Sequence, residues 1–225
     1  KVAPGKISRS PRTYLAILKQ GMPSFFRQGV LSAATMALNY NAKIYGDAAV
    51  AALSIVTKVF MVIQSVVIGF GQGFQPVLGY NYGAKRLDRV KEAVWFSVKT
   101  CTVILTVGAV VGFLLAPAIM TQFRRDDALV IAIGTRTFRY QCCTLPLGAV
   151  LVFANMFFQS LGKSWRAVLL AICRQGLYIP LVYLMSGRFG LTGLECTQAV
   201  ADLLAFALSA AVIAHYFKTE FGKEG

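Results

Sequence analysis

Apolar residues fall in long blocks separated by short polar clusters, most of them basic. Residues 59–84, 100–123 and 140–162 contain no Asp, Glu, Lys or Arg. About 20 such residues make a helix long enough to cross the hydrocarbon core of a bilayer. Further blocks are nearly as apolar but carry one or two ionisable residues. One covers about 22–45 with Arg27, one about 167–187 with Arg174, and one about 191–217 with Glu195 and Asp202. Lys58 falls in the first half of a block at 50–78. The pattern predicts six membrane helices, at about 22–45, 50–78, 95–120, 137–161, 167–187 and 191–217. Long uncharged runs without two-residue alternation suit helices, not the strands of an outer-membrane barrel.

Helical phase sorts the polar residues within these blocks onto faces. In the first helix Ser24, Gln28, Ser32, Thr35 and Asn39 follow one another at helical spacing; in the second Ser54, Lys58, Ser65 and Gln72 do so. Asn155 and Gln159 are one turn apart in the fourth, and Glu195, Gln198, Asp202 and Ser209 share a face of the sixth, with Asp202 near mid-depth. Such stripes have two uses: they hydrogen-bond neighbouring helices, or they line a water-filled pathway. An ion at depth needs a counter-ion or water, which weights Arg27, Lys58, Arg174 and Asp202 toward the second use. The candidate substrate or cation pathway is therefore Arg27, Gln28, Asn39, Lys58, Gln72, Asn155, Gln159, Arg174, Gln175 and Asp202. Asp202 is expected to pair with Arg27, Lys58 or Arg174, or to take up a proton. Glu195, near the start of its helix, is expected to reach the interface, and Arg136 and Arg139 to snorkel to the membrane surface. Near the end of the second block, Gly69, Gly71 and Gly73 at two-residue spacing precede Pro76. Gly71, Gly73 and Pro76 read either as a gate hinge or as close packing followed by an exit turn.

Composition agrees with a membrane protein. Of 225 residues 56% are hydrophobic and only 14% charged, with a mean hydropathy of +0.61; soluble domains carry about 25% charged residues. The net charge of +14 comes from short clusters between apolar runs, not from a polar domain, which excludes a nucleic-acid-binding reading. Segments 1–19, 80–92, 162–166 and 218–225 hold thirteen basic residues, against five in the alternate connections. The positive-inside rule then places both termini in the cytoplasm. Residues 1–19 read as a basic cytoplasmic lead-in, 20–217 as the six-helix unit and 218–225 as a cytoplasmic tail. The five cysteines lie in apolar stretches without metal-ligand spacing, and His215 is the single histidine. No catalytic constellation or metal centre can be assembled from these residues, so neither an enzyme nor a cofactor is expected.

The segment Gly71-Gln72-Gly73-Phe74-Gln75-Pro76 leading into Gly79-Tyr80-Asn81-Tyr82-Gly83-Ala84-Lys85 resembles a signature of the multidrug and toxic compound extrusion (MATE) family. Gly21-Met22-Pro23-Ser24, Phe158-Gln159-Ser160-Leu161-Gly162-Lys163, Arg174-Gln175-Gly176 and Phe189-Gly190-Leu191-Thr192-Gly193 extend the resemblance over 20–217. It implies an all-α fold in which these six helices form the C-terminal lobe of a twelve-helix transporter in a bacterial inner membrane. It also implies an N-terminal partner lobe carrying most of the coupling site for sodium or protons, and export of small organic, often cationic or amphipathic, compounds by alternating access. The carboxylates that some relatives add on the seventh and tenth spans have no counterpart here, their places falling near Leu31 and Val150. Asp202 resembles an acidic position in the family's last helix. Two alternatives stay open: a lipid-linked saccharide flippase of the same superfamily, favoured by a cationic lumen, and a non-transporting membrane subunit.

Overall fold

A backbone in lipid has no water to satisfy its N–H and C=O groups, so each apolar run closes its hydrogen bonds within a helix. The computed structural model describes residues 11–219, except the side chains of 12, 13, 16–24, 26, 27 and 164, and contains no strand among them. The first ten residues of the expected lead-in, the tail from 220 onward and the Arg27 side chain thus lie outside the described residues. The order is α1 Pro11–Ile44, α2 Asp47–Gly83, α3 Leu87–Phe123, α4 Ala128–Thr144, a 3-10 turn Leu145–Leu147, α5 Gly148–Ser160 and α6 Ser164–Thr219. Asp127 caps α4, its carboxylate accepting from the backbone N–H groups of Leu129 (3.1 Å) and Val130 (3.2 Å).

The first helix starts at Pro11, within the expected lead-in and well before 22, and the third runs over Leu87–Phe123 where 95–120 is expected; two further boundaries change in kind. The fourth helix, read as continuous over 137–161, begins at Ala128 and tightens at Leu145–Leu147, where Pro146 cannot donate to the preceding turn. The fifth and sixth helices are joined without a loop: α6 runs through both and turns at Gly190, whose φ of 61° and ψ of −141° are not helical. Contact between Arg174 and Asp202 on either side of that turn makes the two legs, 164–189 and 191–219, an antiparallel hairpin.

Among the described residues, four stretches are long and apolar enough to cross a membrane: Asp47–Gly83, Leu87–Phe123, Ala128–Ser160 and Trp165–Thr219. The last would be about 80 Å long if straight, far more than a core of about 30 Å, and its hairpin supplies two passes.

The main core lies where α2, α3, α4 and α5 meet the ends of α6. Rings pack edge-on there: Phe60 with Phe138 (5.0 Å between centroids), Phe74 with Phe153 (5.3 Å) and Phe158 with Tyr216 (5.3 Å). Small residues such as Ala49, Ala52, Ala149 and Ala154 are fully buried between helices, as expected where association in lipid depends on close approach and dispersion. The outer faces are apolar: Met61, Phe96, Leu114 and Trp165 are all exposed, the inverse of a soluble protein and the mark of surface meant for lipid or a partner. A second, smaller core joins α1, α2 and both legs of α6 through Ala34, Ala42, Leu53, Tyr178, Val182, Leu194 and Ala201.

Candidate functional site

The site is built around the α6 hairpin. Gly190 adopts a left-handed φ that a side chain would strain. Three residues later, a Cβ on Gly193 would strike the Met185 carbonyl, so the legs can close this tightly only with glycine there. From the α1 side, the Tyr45 hydroxyl donates to the Ser186 carbonyl (3.0 Å) and also meets its Oγ (3.0 Å), pinning the end of α1 to the hairpin just before the turn.

On the second leg, Glu195, Gln198 and Asp202 advance by three and four residues and share one face, as their spacing predicts. Asp202 pairs with Arg174 across the hairpin: Arg174 Nε donates to Oδ1 at 2.9 Å, and a terminal guanidinium nitrogen lies 2.8 Å from the same oxygen. Gln198 donates to that oxygen as well (3.1 Å). The hairpin selects Arg174 from the three cations expected as possible partners of Asp202. An unpaired Asp at the centre of a membrane helix costs about 2.5–3.5 kcal/mol by insertion scales, and this guanidinium offsets that cost.

Glu195 is corrected by the structure. Instead of reaching the interface it is fully buried, and instead of snorkelling freely Arg136 of α4 grips it. Arg136 Nε lies 3.2 and 3.1 Å from the two carboxylate oxygens, and a terminal nitrogen lies 2.8 Å from Oε1. The guanidinium is half exposed while the carboxylate is sealed, so Arg136 closes the buried acid from outside the bundle. Arg139 sits over the Phe113 ring and donates to the Phe113 carbonyl (3.4 Å).

Between α1, α2, α4 and α6 lies a cavity of about 110 Å³, room for about three waters. Thr35, Thr57 and Thr137 line it with hydroxyls already donated to their own helices, to Leu31, Leu53 and Ile133. Gln175 and Gln198 enter from the two α6 legs, Gln141 from α4, and Glu195 and Tyr178 complete the polar wall. The side-chain amides of Gln141 and Gln175 make no hydrogen bond among the described residues. Gln175 is thus a predicted residue brought to the cavity; Gln141, Tyr178, Glu195 and Arg136 are residues the sequence reading missed. The stripe from Glu195 to Asp202 was a usable signal for Glu195, whereas nothing local marked Gln141 or Arg136.

The remaining predicted residues divide into two groups. Near the far end of α2, Gln75 donates to Gln159 (3.3 Å), Gln159 to Asn155 (2.6 Å), and Asn155 to the Ala167 carbonyl (2.6 Å). Gln72, Gln75, Pro76, Gln159 and Ser160 edge an open groove away from the cavity. Gln28, Asn39 and Lys58 are exposed on α1 and α2 and belong to neither feature. α2 stays helical through Gly71, Gly73 and Pro76. Gly71 is a close-packing position, since a Cβ there would meet the Met156 thioether; Gly73 faces open space. Among the described residues no three His, Cys, Asp or Glu are grouped to hold a metal ion.

The family model MatE matches residues 23–184. Multidrug export protein MepA of Staphylococcus saprophyticus is 27% identical over 205 residues, covering 90% of this chain and 44% of that protein. The chain therefore spans less than half the length of the curated relatives it matches. Among solved structures, an inward-facing multidrug resistance MATE family transporter of the MOP superfamily aligns with a TM-score of 0.83 at 21% identity, covering 97% of this chain and 52% of the other. An outward-facing structure of such a transporter aligns at 0.81 and 21% identity, covering 98% and 51%.

Proposed function

We propose, on the premise that the chain belongs to the multidrug and toxic compound extrusion (MATE) family, that it works as one lobe of a secondary exporter of small organic compounds. In this reading a second lobe faces it across a central cleft. The pair rocks between inward-open and outward-open arrangements, and sodium or proton entry drives the cycle. The membrane is the bacterial cytoplasmic one, with both ends of this lobe on the cytoplasmic side, as its basic connections favour.

The observation that carries the proposal is the polar cavity between α1, α2, α4 and α6, lined by Glu195, Gln141, Gln175 and Gln198 inside an otherwise apolar bundle. Keeping a sealed carboxylate and a second, partly buried ion pair among apolar helices only for packing is expensive, since apolar residues of similar volume replace such pairs at little loss or with gain. The hairpin held by Arg174 and Asp202 gives the lobe a stiff wall, and similar folds in inward-facing and outward-facing transporters support its moving as a unit. The test uses inverted membrane vesicles from cells expressing the protein from its own coding sequence in a strain stripped of major exporters. A sodium or proton gradient should drive accumulation of a fluorescent organic dye, and collapse of the gradient should abolish it. Equal dye uptake in vesicles lacking the protein would contradict the proposal.

A further inference from the structure

We infer that the cavity between α1, α2, α4 and the α6 hairpin is a water site, a blind chamber holding about three ordered waters. These waters join Gln141 of α4 to Gln175, Tyr178 and Gln198 of the hairpin, and they hydrate Glu195 on the side that Arg136 does not cover; the assignment rests on the exporter reading above and names what fills its polar cavity. Leu31, Thr35 and Thr57 line the cavity and are exposed, so they mark its mouth between α1 and α2. Thr137 and Glu195, 1% and 0% exposed, form its closed end. Thr137 and Gln141, one turn apart, present the cavity face of α4. Arg136 is not part of that lining; it reaches Glu195 from the neighbouring face of α4 with its guanidinium half exposed. Glu195 thus meets the chamber on one side and a guanidinium on the other.

Size and chemistry select the occupant. At about 110 Å³ the chamber is well below the roughly 300 Å³ at which pockets for organic ligands begin. Cavities that stay dry are apolar, whereas polar ones hold water. The amides of Gln141 and Gln175 and the hydroxyl of Tyr178 make no hydrogen bond among the described residues. Among these residues Thr135 Oγ1 is the one sealed side-chain polar atom without a partner. The Tyr178 hydroxyl, unpartnered on a buried residue, therefore opens on the space that Tyr178 lines. Gln198 spends one N–H on Asp202 and keeps its carbonyl to accept. Thr35, Thr57 and Thr137 have donated their protons to their own helices and can only accept. A wall of this kind needs a partner that both gives and takes hydrogen bonds. Water does so; a bare cation gives none, and Arg136 already neutralises the one carboxylate at the closed end.

The protein, expressed from its own coding sequence and purified in detergent, is exposed to short X-ray pulses that turn bound water into hydroxyl radicals, and oxidised residues are read by mass spectrometry. Tyr178 should be oxidised about tenfold faster or more than Tyr216, which is packed against Phe157 and Phe158 without such a chamber. Gln141→Leu combined with Gln175→Leu should slow Tyr178 to the rate of Tyr216. The melting temperature should not fall, because neither amide has a protein partner to lose. Replacing sodium with N-methylglucamine should leave the Tyr178 rate unchanged. Tyr178 as slow as Tyr216 in the wild-type protein, fast oxidation that survives both substitutions, or a rate that follows sodium would each overturn the inference, the last by assigning the chamber to a cation. Should the double variant fail to fold, the wild-type comparison and the sodium replacement decide the matter without it. Fast oxidation of Tyr178 without gradient-driven dye movement in vesicles would support the water site and count against the exporter reading alone.

Discussion

Between α2, α3, α4 and α5 the helices meet through Phe74, Phe138, Phe153 and Phe157, with alanines filling the gaps. Between α1, α2 and the two legs of α6 they meet through Ala34, Ala42, Leu53, Tyr178 and Leu194, beside a cavity and two ion pairs. The first region is apolar and interlocked; the second gives up packing for polar space. The same bundle therefore holds a scaffold and a working wall. Damage to the scaffold should appear as lost stability, and damage to the wall increasingly as lost function.

The largest effect is expected deep in the scaffold. Phe157 is buried against Phe158 and Tyr216, and Phe157→Ala should cost about 3–5 kcal/mol, read as a lower melting temperature in detergent, with near-normal transport per folded molecule. Loss of transport per folded molecule at unchanged stability would reverse the assignment of that region.

Arg136→Ala should come next. It leaves the fully buried Glu195 carboxylate without its counter-ion, a loss of about 3 kcal/mol. The double variant Arg136→Met with Glu195→Leu should recover most of the stability, since both charges then disappear together. A double variant as unstable as the single one would mean that the pair itself, not the orphaned charge, holds α4 to α6.

How much of this division the sequence carries depends on the range of the interaction. The apolar blocks give the helices because their backbone must be satisfied locally. Gly190 marks the turn between the last two helices because a left-handed φ is a local demand. The face shared by Glu195, Gln198 and Asp202 is legible for the same reason. Which helix meets that face is not: Arg136 is 59 residues from Glu195 in sequence, and only packing of α4 against the hairpin joins them. Likewise Gly71 carries the same signal whether it is a hinge or a contact, until Met156 is found against it. The choice of Arg174 over Lys58 as partner of Asp202 follows from the antiparallel legs, a tertiary fact.

Smaller effects sharpen the boundary at the hairpin. Gly190→Ala places a side chain at a positive φ with ψ of −141°, a conformation kept almost to glycine, and should cost about 1–3 kcal/mol, with transport falling along with stability because the two α6 legs are re-aimed. Tyr45→Phe removes the hydroxyl that ties α1 to Ser186 and should cost about 1 kcal/mol, measured by thermal melting. A larger loss from Tyr45→Phe than from Gly190→Ala would mean that α1, not the turn, sets the shape of the wall.

The division between scaffold and wall is tested most directly at Asp202. Asp202→Asn keeps the size and some hydrogen bonding to Arg174 and Gln198 but removes the charge. Gradient-driven dye transport and melting temperature are measured together, for wild type and variant expressed from the protein's own coding sequence. The expected result is transport per folded molecule reduced by about tenfold or more, equivalent to about 1.4 kcal/mol, beyond the fall in melting temperature that comes from leaving Arg174 with a neutral partner. Unchanged transport, or a lower melting temperature with normal transport per folded molecule, would make the ion pair part of the scaffold and contradict the working wall.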